Sequence, residues 1–210
     1  MTKKTVSRET ISWRWVTDRG IRLATGTATL PAYRRLMEAG LPGVAELVPA
    51  DGSLLVVLKP GARAPGWLRD ILNDVACGEL SAGAGRRHEI AVIFDGQDLP
   101  GVAERLGLTR PGLIEGLCEI VFVVKFLGFQ PGFAYLEGLP EEWRIPRLKT
   151  PRKSVPAGSV ALGGAYCGIY PAQGPGGWHL IGRTEARLFN PAASPPALFQ
   201  PGDSVRLVAA

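Results

Sequence analysis

The chain has 210 residues, 46% of them apolar and 20% charged, with a formal net charge of +5. That balance excludes a disordered chain, and the length allows one large domain or two small ones with real cores. No apolar run approaches the roughly 20 residues of a membrane span, and no signal-type apolar stretch follows the basic start MTKKTVSRET. A soluble cytoplasmic protein is expected, without membrane contact.

The first third alternates strands and helices. ISWRWV (Ile11–Val16) carries apolar residues at every second position, a strand pattern that IRLAT repeats. Pro31–Gly40 reads as a short helix, with Pro near its start and Gly after its end. VAELVPADGSLLVVLKP reads as two strands joined around Asp51-Gly52. Gly66–Gly78 places Trp67, Ile71 and Val75 on one stripe of an amphipathic helix. These elements predict an α+β lobe over 1–80, its helices on one face of an antiparallel sheet.

Small residues in Gly78–Arg86 mark a domain boundary, and a second domain over 86–210 follows. RHEIAVIF predicts a strand, DLPGVAERLGL and RPGLIEGLCE two short helices, and EIVFVVKFL a buried strand. After Gly128, short β-prone pieces (GSVALGG, CGIYPA, GWHLIGRT, ARLFN, SVRLVA) alternate with Gly and Pro, which suggests a closed or nearly closed barrel. Cys77, Cys118 and Cys167 are odd in number and widely spaced, so they read as reduced, packed thiols rather than a disulfide or zinc framework.

Several chemistries are missing. H-E-x-x-H, G-x-S-x-G and the Walker phosphate loop do not occur. What is present clusters in three places. GFQPGFAYLEGLP (Gly128–Pro140) sets Phe129, Phe133 and Tyr135 on a rigid backbone. RIPRLKTPRK (Arg144–Lys153) holds five cations and no acid; prolines make it extended and fix the direction of Arg147 and Arg152. It can be a solvated loop, a nucleic-acid contact or an anion-binding wall. No nucleic-acid signature accompanies it, and the anion wall is preferred. YPAQGPGGWHLIGRT makes a corner without side chains at Gly176 and Gly177, flanked by Tyr170 and Trp178, with Arg183 on the outgoing strand. This is either a barrel corner or a pocket lip for an anionic or carbonyl-bearing ligand. His88-Glu89 at the head of a strand could act as a general acid/base pair, and Asp95 and Asp98 read as turn and helix caps.

GFQPGFAYL, PRLKTPRKSVPAGSVAL, GIYP and GPGGWHLIGRT, in that order, resemble the signatures of the carboxyltransferase subdomain C/D family, which includes the B subunits of 5-oxoprolinases and "allophanate hydrolase subunit 1" proteins. The resemblance extends over nearly the whole chain. It departs at Leu117-Cys118, Tyr166-Cys167 and His179, where the family pattern carries other residues. It implies an N-terminal α+β lobe followed by a cyclophilin-like barrel. It also implies work in a complex with a C-subunit homologue (KipA-like) and an A subunit, opening 5-oxoproline to glutamate with ATP. Inhibition of a sensor histidine kinase and a biotin-dependent carboxyltransferase-type module are the alternatives it carries. On this resemblance Phe129, Phe133 and Tyr135 form the apolar wall of a cleft. Arg147, Arg152, Tyr170, Gly176, Gly177, Trp178 and Arg183 line the other side; Arg147 and Arg152, together with His88 from its own place at the strand head, are the candidate catalytic groups. ATP is the expected cosubstrate, with no metal motif in the chain.

Overall fold

The computed structural model describes residues 12–62 and 85–210. The helix expected over Gly66–Gly78, Cys77, and most of the Gly78–Arg86 linker lie outside those residues. The chain divides into two compact units, Met1–Gly83 and Ala84–Ala210.

The first unit is a four-stranded antiparallel sheet. Its strands are β1 (Ser12–Trp15), β2 (Gly20–Ala24), β3 (Val44–Ala50) and β4 (Ser53–Leu58), in the order β1-β2-β4-β3. Alternation turns Ile21, Leu23, Leu54, Val56 and Leu58 to one face, where they are buried with Ala32 and Leu36 of helix α1 (Thr29–Glu38). The expected hairpin forms at Asp51-Gly52, where Gly52 takes φ +65°. The α1 helix begins two residues earlier than the sequence suggests. Thr29 Oγ1 donates to Gly26 O at 2.9 Å, which ties its entry turn and leaves Pro31 in the first turn, where no N–H is needed.

The second unit holds a seven-stranded sheet. Its strands are β5 (Arg87–Val92), β6 (Val121–Leu127), β7 (Ala134–Glu137), β9 (Ser159–Gly163), β10 (Tyr166–Ile169), β12 (His179–Arg183) and β13 (Ser204–Ala209). Their order is β12-β9-β10-β7-β6-β13-β5. The two edges meet where Ile93 and Arg183 exchange both backbone hydrogen bonds at 2.9 Å, so the sheet is a nearly closed barrel. All pairings are antiparallel except β13 with β5. Strands β8 (Arg152–Val155) and β11 (Gly174–Gly176) form a separate two-stranded ribbon. Helices α2 (Leu99–Arg105) and α3 (Arg110–Glu119) feed Leu99, Val102, Leu113 and Leu117 into the barrel core. That core is completed by Phe122, Val124, Leu136, Leu162, Ile181, Val205 and Leu207. Thr109 caps α3 by accepting from Gly112 N at 3.1 Å.

The class is α+β, as the sequence predicts. Two local readings differ. ARLFN is not a strand: Phe189 makes a single antiparallel bridge to Ala197, because the prolines at 191, 195 and 196 remove ladder donors around it. Conversely, Ala134–Glu137, Arg152–Val155 and Gly174–Gly176 pair as strands within stretches whose Gly and Pro content reads as loop.

Candidate functional site

A second, aromatic layer lies on the outward face of β7, β9 and β10. Its buried members are Phe133, Val155, Ala161, Tyr170, Trp178 and Leu180, with Tyr135 and Tyr166 half-buried against them. Missing side chains create the space. A Cβ at Gly163 would lie 2.6 Å from the Trp178 ring, and one at Gly168 would lie 2.8 Å from Phe133. Flat rings therefore lie directly on strand backbone. Phe133 meets Tyr135, Tyr170 and Trp178 edge-to-face at 5.2, 5.3 and 5.5 Å between centroids. A register shift at Lys125 extends the layer. Simple alternation would turn Phe126 inward after Phe122 and Val124, but the bulge brings it opposite Tyr135, where the rings stack at 4.3 Å.

The GFQPGF turn is closed by its own backbone. Gly128 N donates to Phe133 O, Gln130 N to Gly128 O, and Phe133 N to Gln130 O. Gly132 takes φ +83° without strain, but Phe129 takes φ +67°, which costs a non-glycine residue roughly 1–2 kcal/mol. The reward is orientation: the Phe129 ring stands 58% exposed above Phe133 (5.4 Å) and Tyr170 (6.2 Å). Behind it, Gln130 Nε2 sits 2.3 Å from where a Cβ on Gly174 would be. Gln130 Oε1 is buried with no hydrogen-bond partner among the described residues.

Of the four basic candidates, the structure brings one to this layer with its charge free. The Arg147 guanidinium lies 5.9 Å from the Trp178 ring centroid, is exposed, and forms no ion pair among the described residues. Arg152 was expected to face a ligand. Instead it is clamped: Nη2 donates to both Asp98 oxygens (2.7 and 2.8 Å), and Nη1 donates to Trp178 O (3.1 Å). The Gln97 carboxamide, with its oxygen toward the guanidinium, accepts from Nη2 and Nε as well. Asp98 in turn accepts the Leu180 N–H at 2.6 Å, so its side chain does not cap α2 as the sequence suggests.

Arg183 also departs from its expected place. It points to solvent and pairs with exposed Asp95 at 2.9 Å. His88 lies on β5, facing the end of the barrel core. Its Nε2 is 3.0 Å from Asp203 Oδ2, and its ring packs edge-on to Phe199. Asp203 additionally accepts from Arg86 N and Gln200 N, so His88 belongs to a knot that ties strand β5 to β13. Arg152, Arg183 and His88 are therefore spoken for by carboxylates.

The side-chain-free corner serves as a seat. A Cβ on Gly176 would fall 2.2 Å from Tyr170 Oη, so only glycine admits the buried phenol there. The Gly177 carbonyl accepts from Leu148 N at 2.7 Å and anchors the loop that carries Arg147. Burial pushes the Tyr170 phenol above its usual value; the Arg147 and Arg152 charges and a Trp178 main-chain hydrogen bond pull the other way but do not cancel it. Tyr170 is thus a neutral hydroxyl at ordinary pH.

Phe129, Phe133, Tyr135, Tyr170 and Trp178 thus converge with Arg147 above them and Gly176 and Gly177 behind. Sequence reasoning missed Gln97, Phe126 and Gln130 and read Asp98 as a helix cap; Tyr166, singled out as a departure from the family pattern, does lie against the layer. Asp98 was visible as an acid before a helix, but its partner is 54 residues away. Among the described residues, no group of three or more His, Cys, Asp or Glu could hold a metal, and no helix is long and apolar enough to cross a membrane.

A nearly closed barrel carrying an external aromatic layer is a fold with known relatives. The family model "Carboxyltransferase domain, subdomain C and D" matches residues 4–199, and the chain belongs to that family. It is 42% identical over 172 residues to the B subunit of the 5-oxoprolinase of Escherichia coli O157:H7, covering 80% of this chain and 79% of that one. It is 37% identical over 186 residues to the B subunit of the 5-oxoprolinase of Bacillus subtilis, covering 81% and 78%. The crystal structure of TTHA0988 superposes with a TM-score of 0.79 at 37% identity; it covers 91% of this chain, which spans only 40% of that longer one.

Proposed function

We propose that this chain is a component of a 5-oxoprolinase-type complex that opens a cyclic amide at the expense of ATP, together with a C subunit and an A subunit. The observation that carries the reading is the 42% identity, over four-fifths of both chains, to the B subunit of a 5-oxoprolinase. The geometry supports it. 5-Oxoproline is a small ring bearing a carboxylate. The aromatic layer offers flat apolar surface, and Arg147 offers a guanidinium held above Trp178 with no carboxylate partner among the described residues. In this reading Arg147 receives the substrate carboxylate, and Phe129 closes over the ring. ATP phosphorylates the amide oxygen, one water adds to the activated carbon and the C–N bond breaks to give a free amine and an acyl phosphate, and a second water hydrolyses that acyl phosphate to carboxylate and phosphate. This chain's part is to bind and orient the substrate while neutral Tyr170 supports the floor of the site.

The test is ADP release dependent on 5-oxoproline, measured on the complex reconstituted from the three subunits. Arg147→Ala should raise KM roughly 10- to 100-fold, the worth of a charge-assisted hydrogen bond. Arg183→Ala, whose side chain points away, should leave KM unchanged. Absence of 5-oxoproline-dependent turnover in the wild-type complex overturns the function. Normal KM in Arg147→Ala overturns the assignment of the carboxylate.

A further inference from the structure

The Arg147 guanidinium is exposed and has no ion-pair partner among the described residues, so its aim is set by the chain that carries it. Residues 145–148 form no strand, and Pro146 has no N–H to offer a ladder. The segment is held one bond at a time instead. Gly164 N donates to Ile145 O at 2.7 Å, and Leu148 N donates to Gly177 O at 2.7 Å. Between these two anchors, Pro146 O lies 3.0 Å from His179 Nε2. A carbonyl only accepts, so Nε2 carries the proton and the imidazole is the donor. Residues 177–179 therefore meet residues 148–146 in reverse order: the Gly177 carbonyl takes Leu148, the Trp178 ring faces Arg147, and the His179 ring takes Pro146. The middle member is fixed on its own account. The Trp178 carbonyl accepts from Arg152, its main-chain N–H bonds to Tyr170, and its ring is seated on Gly163. Arg147 thus springs from between two backbone pins, and one of the pins is a histidine side chain.

We propose that His179 is a positioning residue for the substrate carboxylate: by holding the Pro146 carbonyl it keeps the Arg147 guanidinium over Trp178. The proposal rests on the reading of Arg147 as the group that receives that carboxylate. Because Pro146 cannot exchange a pair of main-chain bonds with a neighbour, a side-chain donor is what ties it to β12. The benefit is a lower ordering cost. An exposed arginine has many rotamers to lose when it pairs, and one whose main chain is already pinned beside a ring has fewer. His179 touches no substrate in this arrangement, and its acid–base chemistry is not used. Any neutral N–H donor of similar reach does the same work, and the carboxamide of glutamine is one. Leucine fills a similar volume and donates nothing.

The experiment compares His179→Leu with His179→Gln, each alone and combined with Arg147→Ala, after thermal melts establish that every variant folds. On the free full-length chain, proton NMR reads the Arg147 side-chain methylenes, assigned by their loss in Arg147→Ala; the Trp178 ring current displaces them from ordinary arginine positions. On the three-subunit complex, KM and kcat for 5-oxoproline are measured. His179→Leu should return the methylenes toward ordinary positions and raise KM roughly 3- to 10-fold, the worth of one neutral hydrogen bond, with kcat unchanged. His179→Gln should restore both, and His179→Leu added to Arg147→Ala should raise KM no further. Methylenes that stay displaced in His179→Leu, or that are not displaced in the wild type, overturn the proposal whatever the complex does. Failure of His179→Gln to restore them also overturns it, because the donor would then not be what matters. Methylenes released with KM unchanged overturn the link to the carboxylate. A wild-type complex without 5-oxoproline-dependent turnover overturns the proposed function, and the free-chain spectra still decide whether His179 aims Arg147.

Discussion

At the residue scale, the arginines divide by what already holds them. Arg152 and Asp98 form a half-buried, bidentate pair, only 22% and 18% exposed at their side chains, and together they fix the Trp178 carbonyl and the Leu180 amide. Removing one partner strands the other and frees two backbone groups. Arg152→Ala or Asp98→Ala should therefore cost about 2–3 kcal/mol in urea unfolding. Arg147 touches one ring and solvent, so Arg147→Ala should cost less than about 1 kcal/mol in the same assay. Sequence alone could not separate them. Both stand on one proline-rich basic loop, and both read as aimed cations. What distinguishes them is an aspartate and a glutamine from before α2, brought beside Arg152 by the closed sheet.

At the element scale, the aromatic layer exists because β9 and β10 lack side chains where the rings rest. Gly168→Ala would place a methyl 2.8 Å from Phe133 and 2.9 Å from Trp178, both buried on every other side. Such overpacking should destabilise by about 1–3 kcal/mol, seen as a lowered melting temperature, and should disturb Trp178 fluorescence. Much at this scale was legible. The Asp51-Gly52 hairpin, α1, α2, α3 and the strands β5, β6, β9, β12 and β13 all follow from period, caps and breakers. The misses share a cause. β8 and β11 have weak local strand character and pair only with each other, and the outward turn of Phe126 depends on a bulge that no alternation announces. Phe129, Phe133 and Tyr135 were visible as a cluster, but sequence spacing does not say that Phe133 is 2% exposed and Phe129 58%.

At the scale of the whole molecule, the barrel buries a titratable group at its centre. Cys167 is inaccessible in the inner core, and burial pushes its thiol from 9.0 up to about 12. The unfolded chain gives up that proton first. The thiol's contribution to stability is complete below about pH 9 and is lost as pH climbs toward about 12. Unfolding midpoints should fall over this alkaline range, and Cys167→Ala should fall less steeply than the wild type. Above about pH 10 the Tyr170 phenol, also raised, adds a drop that the substitution leaves in place. The same barrel constrains how the chain is made. Strand β13 lies between β5 and β6, running parallel to the one and antiparallel to the other, although residues 87–127 precede it by some 80 positions or more. Until the ribosome has delivered Ser204–Ala209, β6 is paired only with β7, β5 has no strand beside it in the sheet, and the wall they share stays open. This unit therefore acquires its shape after translation of that segment, and an emerging chain depends until then on whatever shields its unpaired edges.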